Sequence, residues 1–539
     1  MKPVQVSLCA MLCIASAMAV DVISPVPTYK ESKNIIFSTM GGGSSHHAWV
    51  LEILKEMHHR GHQVALYSRE DQLQFTKEYP MIKTKVLGGP HDFMKNENIN
   101  RFLGSHPDQI DLGTKAIEAS IANYTANFFE YKETFEKDQV DLAICDSFAI
   151  SCIDAAIVSK IPVIITSTMG LYADFSPNYI NSKLYTTVEP TTANETLLFR
   201  IYRDYYAIPF ALKTIQSKFK AAFDLQRKYG LVPVAWDASS PRYNSIVKMS
   251  NNLYGIEVPR PHSPLFHMIG PVMQTSYPAL DKRTADFLDR HQRVAYVAFG
   301  QHVASPKKDV EMVLKVLLQL KQEGWIDGII WARLNLTDVP QIKQNEEGIL
   351  LSAWSPQFAI LQHASTLLFV THGGVGSLIE SLYNGKRVFV YPFFGDQPGN
   401  ARAIAHAGLG TYMNTLGLKF DQSDYNTLYN ALHQVAADPE GRIQTVVNQY
   451  KYYVQIRSKH AVTRGADLME EVAFASDENG FLGYRKSIEY EIHWMKRYNL
   501  DIYMTLFLTL AAFVKTMCCL WGWLLSTRKN SNNFKVKKS

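Results

Sequence analysis

The sequence predicts two doubly wound α/β domains facing a common cleft, followed by one C-terminal transmembrane helix. Three observations predict it. Apolar strands alternate with helical patterns twice, from Ile35 to Ser167 and again from Val294 to Pro392; the strand rhythm lapses in between; and an apolar stretch, Ile502–Ser526, ends in a basic tail. Strands separated by helices call for parallel pairing with crossovers. Two such sheets set face to face leave a ligand crevice outside the carboxyl ends of their strands.

The ends of the chain come first, because they bound the rest. The chain has 539 residues, 47% hydrophobic and 19% charged, a globular composition with room for two or three domains. Val6 to Val20 is an apolar run ending in Ala17-Met18-Ala19, which suits a signal peptide cleaved after Ala19. Ile502–Ser526 is long enough to span a bilayer, interrupted chiefly by Lys515, which is expected to snorkel toward the cytosolic face. The tail holds Arg528, Lys529, Lys535, Lys537 and Lys538 and no acidic residue, so the positive-inside rule puts it in the cytosol and the body in the lumen, a type I topology. Those five charges equal the formal net charge of +5, which leaves zero for the remainder and excludes a nucleic-acid footprint. The expected division is a signal peptide over 1–19, an N-terminal domain over 20–275, a C-terminal domain with closing helices over 276–480, a membrane-proximal segment over 481–501, the span over 502–526 and the tail over 527–539.

Of six cysteines, Cys9 and Cys13 leave with the signal and Cys518 and Cys519 lie in the span. Cys145 and Cys152 bracket a strand-to-helix turn, and the expectation is two small buried residues rather than a disulfide. No zinc spacing is present. Sequons at Asn123, Asn194 and Asn335 agree with a lumenal, glycosylated body.

Within the first domain, the strand Ile35–Ser38 runs into Gly41-Gly42-Gly43-Ser44-Ser45-His46-His47. A dinucleotide fingerprint would have glycine where His46 stands. The following helix is marked by Val50, Ile53, Leu54 and Met57, and Gly61 caps it before the strand Val64–Tyr67. An imidazole thus sits at the ligand-facing corner, although a histidine in a helix's first turn also serves as an ordinary polar residue. Strands follow at Leu142–Cys145 and Val163–Ser167. From Leu171 to about Pro271 the rhythm is lost, and the aromatic-rich helical stretch around Phe199–Tyr229 reads as an insertion lining an apolar cleft.

The rhythm returns at Val294–Gly300, with strands at Gly328–Trp331, Gly348–Leu351, Leu367–Thr371 and Arg387–Pro392. Three stretches carry chemistry there. Trp354-Ser355-Pro356-Gln357 offers an indole for stacking and an amide for a base edge. His372-Gly373-Gly374-Val375-Gly376-Ser377 leads from strand into helix, a geometry that binds phosphate. Gly395-Asp396-Gln397 places a carboxylate beside a carboxamide, suited to sugar hydroxyls. Each alone has a structural explanation; their order carries the argument.

Together with Glu380, these stretches resemble the signature of the UDP-glycosyltransferases. The pattern of signal peptide, two Rossmann-like domains, one C-terminal span and dilysine tail is similar to the membrane-anchored UDP-glucuronosyl/UDP-glucosyltransferases along nearly the full length. The resemblance implies the GT-B arrangement, with an acceptor-binding first domain and a UDP-sugar-binding second domain. It implies that Trp354 stacks on uracil and Gln357 bonds it, that Glu380 holds the ribose, that His372, Gly374 and Ser377 contact the diphosphate, and that Asp396 and Gln397 hold the sugar. It also implies that His46 is the catalytic base and Asp146 its acidic partner. Two departures stand out: many relatives have Asn at Gly376 and Ser at Gln301.

The implied reaction is inverting transfer of a hexose, glucose or glucuronate, from a UDP-sugar to a hydroxyl of a lipophilic acceptor. The base takes the hydroxyl proton during attack on the anomeric carbon, and UDP leaves toward glycine N–H groups and a helix N-terminus, so no metal and no cofactor beyond the co-substrate is expected. Two rivals come from other classes. A lumenal nucleotide-sugar or lipid-binding protein that has lost catalysis is disfavoured by the presence of both His46 and Asp146. An NAD-dependent oxidoreductase is disfavoured by the missing third glycine, although Glu70 and Asp71 follow the second strand. Residence in the endoplasmic-reticulum membrane is expected from Lys535 and Lys537, and homo-oligomers are possible partners.

Overall fold

The computed structural model describes residues 28–29, 31–89, 118, 121, 123–169, 177–181, 189–210, 213, 219–234, 241–300, 307–332, 347–393, 395–413 and 424–536, with side chains through Thr527. The signal segment, Gln301, Asn335, Lys537 and Lys538 fall outside these residues. The other two sequons, Asn123 and Asn194, are exposed.

The first sheet contains β1 (Asn34–Thr39), β2 (Gln63–Ser68), β3 (Lys83–Val86), β4 (Leu142–Asp146), β5 (Val163–Ser167), β6 (Val247–Ser250) and β7 (Phe266–Met268). Its order is β3-β2-β1-β4-β5-β6-β7, with every pairing parallel. Helix α1 (Ser44–His59) covers one face, while α2 (Tyr124–Lys137) and α3 (Ile150–Val158) cover the other; α4 (Leu197–Tyr202), α5 (Lys220–Lys228) and α6 (Lys282–Arg290) follow in the chain. The central pair β1 and β4 matters most for the site. Their register sets Ser38 opposite Cys145, so the loops after Thr39 and Asp146 leave the sheet side by side.

Strands β3, β6 and β7 escape sequence reasoning for physical reasons. The sequence of β3 is Lys-Thr-Lys-Val, an edge strand with charges toward water. β6 carries the fully buried Lys248, which breaks the apolar run, and β7 has three residues. Strand structure therefore continues inside the stretch expected to lack it. The cysteine expectation is also overturned: Cys145 and Cys152 are joined in a disulfide, with Cα atoms 5.9 Å apart. The Cys145 side chain points to the face that α3 folds back over, and both cysteines lie in the same apolar cluster.

The second sheet contains β8 (Val294–Ala298), β9 (Gly328–Ala332), β10 (Ile349–Ser352), β11 (Thr366–Thr371), β12 (Arg387–Val390) and β13 (Gly410–Tyr412). Its order, β10-β9-β8-β11-β12-β13, is the Rossmann order with all strands parallel. Helices α7 (Lys307–Gln322) and α11 (Asp424–Ala437) pack on one face, and α9 (Val375–Tyr383) and α10 (Gln397–His406) on the other. Near Gln357, α8 (Gln357–Gln362) follows β10. The chain then returns to the first sheet. Helix α12 (Arg442–Ser458) leads into α13 (Ala461–Ala475), whose Ala466, Met469 and Val472 join the core around α1. Arg60 of α1 bonds Glu470 and Asp467 at 2.6 and 2.8 Å, binding α13 to it.

The insertion after β5 inverts the usual polarity. Along Leu197–Tyr202 and the π-helical turn Arg203–Ala207, Arg203 is buried and pairs with the half-buried Glu195 at 2.7 Å, whereas Leu198 and Tyr205 are 79% and 81% exposed. These side chains face outward rather than lining the cavity described below. The last helix runs from Leu500 to Val536, and its segment Leu500–Thr527 is long and apolar enough to cross a membrane, with none of it buried.

Candidate active site

The turn between β1 and α1 is built around His46. Helix α1 has no side-chain cap at Gly43; the His46 N–H bonds the Gly43 carbonyl at 3.0 Å, and Ser44 and Ser45 begin the helix ahead of it. His46 Nδ1 lies 2.9 Å from Asp146 Oδ2, and the second carboxyl oxygen of Asp146 accepts from the Phe148 N–H at 3.0 Å. Phe148 packs against the imidazole with centroids 5.1 Å apart. The ring is thereby fixed on two sides and presents Nε2 as its free nitrogen. Burial opposes a charged His46, yet the charge and hydrogen bond of Asp146, with the Asp396 carboxylate of the other domain, hold its pKa above 6.5. Asp396 therefore faces this histidine electrostatically across the cleft.

Gly42 explains the glycine run. Its φ is +86°, and a Cβ there would lie 2.6 Å from His46 Cγ, with Cδ2 closer still. The glycine admits an imidazole. His47, by contrast, is buried, stacked on Phe75 at 4.3 Å and bonded to the Gly43 carbonyl at 3.1 Å. Burial pushes its pKa down to about 4. His47 is thus a core residue.

A cavity of about 460 Å³ lies between the two sheets. Trp354, Gln357, His372, Gly374, Ser377 and Glu380, all singled out in the sequence, line it together. Gln357 donates to Glu380 Oε2 at 2.8 Å and to Ser377 Oγ at 3.3 Å, which joins three of them directly. Burial raises the Glu380 carboxyl to about 7 against the opposing effect of Gln357. Trp354 is 63% exposed at the rim, its face available for stacking. His372 stands between Gly300 and Gly374, where added Cβ atoms would come within 2.8 and 2.5 Å of its Nε2. Helix α9 begins at Gly374, also without a side-chain cap, and its N-terminus faces the cavity.

Asp396 and Gln397 do not line this cavity. They lie at the start of α10, where Gln397 Oε1 accepts from the Phe393 N–H at 2.8 Å. Asn400 donates to Asp396 at 2.7 Å and to the Gly373 carbonyl at 2.9 Å, tying the Asp396 loop to the His372 loop. Sequence reasoning missed Asn400; its signal was a polar residue four positions after Asp396 on a helix. It also missed Ser44 and Ser45, which line the cavity from the first domain. The two serines before His46 at a helix start were the signal. Gly376 meets Ser45 there: a Cβ on Gly376 would lie 3.7 Å from Ser45 Cβ. Asp71, the acidic residue after the second strand, is bound to Arg69 at 2.7 Å. Among the described residues, no three His, Cys, Asp or Glu side chains are grouped to hold a metal ion.

Comparison with known proteins agrees with this geometry. Residues 210–445 match the family model described as UDP-glucoronosyl and UDP-glucosyl transferase. The chain is 25% identical to UDP-glycosyltransferase stmC of Aspergillus ustus, covering 84% of this chain and 91% of that one. It is 24% identical to UDP-glucuronosyltransferase 1A3 of Homo sapiens, covering 95% and 96%. Among solved structures, the glycotransferase of kitacinnamycin superposes with a TM-score of 0.56 at 18% identity, over 82% of this chain and 98% of that one. A UDP-glucosyltransferase from Polygonum tinctorium gives 0.54 at 18% identity, over 82% and 100%. The fold is that of the GT-B glycosyltransferases.

Proposed function

We propose that this chain, which belongs to the UDP-glycosyltransferases, transfers glucose or glucuronate from its UDP-sugar to a hydroxyl of a lipophilic acceptor, with inversion at the anomeric carbon. The observation that carries the reading is the His46–Asp146 pair at 2.9 Å, facing Asp396 beside a nucleotide-sized cavity. Nε2 of His46 takes the proton as the acceptor oxygen bonds to the anomeric carbon and the bond to UDP breaks. Asp146 stabilises the imidazolium that forms.

In the same reading Trp354 stacks on uracil, Gln357 bonds its edge and Glu380 accepts from the ribose hydroxyls. The diphosphate meets His372, Gly374, Ser377 and the N-termini of α9 and α1, which favour negative charge as UDP leaves. Ser45 stands where an Asn at 376 would reach, and its hydroxyl supplies the contact that Gly376 does not. Asp396 and Gln397 hold the sugar. The chain is anchored by Leu500–Thr527 with its body in the lumen of the endoplasmic reticulum, a reading supported by the apolar helix and the basic tail. The outward aromatic face of the insertion, with Tyr205 81% exposed, favours acceptors drawn from an apolar medium.

A donor panel of UDP-glucose, UDP-glucuronate, UDP-galactose and UDP-N-acetylglucosamine with detergent-solubilised full chain tests this. UDP release with glucose or glucuronate as the preferred sugar, abolished by His46→Ala, is the expected result. Equal rates for wild type and His46→Ala would remove the histidine from the chemistry. Binding of UDP without turnover of any donor would favour the inactive binding protein.

A further inference from the structure

The segment joining the two sheets is held at two nearby points, Thr275 and Tyr277, by groups from α1 and α8. Glu52 lies on α1, the helix that carries His46, and is 5% exposed. Its Oε1 accepts from the Thr275 N–H at 3.2 Å, its Oε2 from the Thr275 hydroxyl at 3.1 Å, and Tyr79 Oη adds 2.9 Å. Lys55, one turn along α1, donates to the same threonine hydroxyl at 3.0 Å. Two residues later, Tyr277 stacks on Phe358 with centroids 3.8 Å apart and planes 9° apart, and its hydroxyl accepts from the Gln274 N–H at 3.2 Å. Phe358 follows Gln357 on α8, and Tyr277 itself lines the nucleotide-sized cavity.

We infer that Glu52 and Tyr277 are positioning residues, a two-ended clamp on the connecting segment that fixes the distance between the base on α1 and the nucleotide held by α8. The physical argument is one of slack. Thr275 and Tyr277 are separated by a single residue, so a segment bonded at one and stacked at the other transmits displacement between α1 and α8 instead of absorbing it. Glu52 sits mid-helix and caps neither end of α1; it is spent on a backbone N–H and a hydroxyl of the connecting segment, 223 residues away in the chain. Nucleotide that settles against Gln357 and Trp354 braces α8, and through Phe358, Tyr277 and Thr275 it braces α1. The inference rests on the transferase reading of the cavity.

Two measurements separate them. Hydrogen exchange with UDP alone reads the coupling without turnover: UDP should protect Val50–His59 of α1 in wild type, and Glu52→Ala and Tyr277→Ala should lose that protection while still binding UDP. Steady-state kinetics read the consequence. Each variant should lower kcat by about tenfold or more, since misplacement near 1 Å costs on the order of a hundredfold, and Glu52→Ala, whose side chain does not line the cavity, should keep UDP affinity within about threefold of wild type. The double variant should lose far less than the product, because groups acting as one unit are not additive. Tyr277→Phe keeps the stack and should retain kcat. Where Glu52→Ala folds poorly, Thr275→Val removes the same hydroxyl from outside the core and should lower kcat in the same direction. The proposal is overturned if α1 protection survives the variants, if kcat is unchanged, or if the two factors multiply. Coupling without turnover of any UDP-sugar would instead overturn the transferase reading alone.

Discussion

Replacing Gly42 by alanine tests the site where it is tightest. The new Cβ would lie 2.6 Å from His46 Cγ, whereas ordinary carbon contacts sit at about 3.5–4.0 Å. The ring must therefore retreat by roughly 1 Å, and it is not free to do so, being bound to Asp146 at 2.9 Å and packed on Phe148 at 5.1 Å. A displacement of that size at a reacting group costs on the order of a hundredfold in turnover. The φ of +86° adds backbone strain of roughly 1–2 kcal/mol to stability. Gly61 supplies the control. Its φ is +98°, but nothing lies within 4 Å of an added Cβ, so Gly61→Ala carries strain without displacement. The assay is UDP release at saturating donor, normalised to folded protein, with UDP affinity measured by calorimetry. Gly42→Ala should lose turnover about a hundredfold with near-normal UDP affinity, and Gly61→Ala should lose only stability. If both variants keep turnover, or lose it equally, the close fit of Gly42 to the imidazole does not matter to the chemistry.

Asp146→Asn should lower kcat by about 10- to 150-fold, the kinetic equivalent of a charged hydrogen bond of roughly 1.5–3 kcal/mol. The neutral imidazole is the working form, so the wild-type rate falls as pH drops through the raised pKa of His46; removing the carboxylate leaves burial dominant, and this acid limb should move to lower pH. An unmoved limb would assign it to another group. His47→Ala should cost about 2–4 kcal/mol in chemical denaturation, as for a large buried side chain, with turnover per folded molecule near normal. Because its folded pKa, about 4, lies below 6.5, His47 destabilises the fold as pH falls from 6.5 toward 4, and the variant should lose that part of the acid sensitivity. Uridine, which lacks titrating phosphates, should bind more tightly as pH rises through about 7, where Glu380 ionises and becomes a stronger acceptor for ribose hydroxyls. Glu380→Gln should bind it weakly without that dependence. Trp354→Ala should weaken UDP by roughly 1–3 kcal/mol, and no loss would put the uracil elsewhere.

How much of this was legible follows from which residues announce themselves. Strands buried on both faces, such as Val294–Ala298 and Thr366–Thr371, read as apolar runs and were found to within a residue or two. Edge and short strands did not, since Lys83–Val86 shows its charges to water and Phe266–Met268 has no room for a pattern. Candidate site residues stood out where an uncommon group follows a strand, as at His46 and Trp354, whereas Asp146 and Glu380 were reached only through the family resemblance. Those that act through backbone or small hydroxyls were not. Ser44 and Ser45 look like any helix start, and Asn400 works through a loop that only the folded chain brings beside it. The disulfide was hidden because spacing alone does not say that α3 folds back over the face Cys145 occupies.

The glycine loop that opens the chain's first domain serves both halves of the proposed reaction. Its residues divide by direction: Gly42 makes room for the base, while Gly43, Ser44 and Ser45 line the cavity that also holds His372 and Ser377. In that reading the first turn of one helix touches both the base and the diphosphate, which His372 and Ser377 of the second domain hold from the other side. Asp396 supplies the reverse connection, since a carboxylate of the second sheet helps to hold the imidazole of the first above its ordinary pKa.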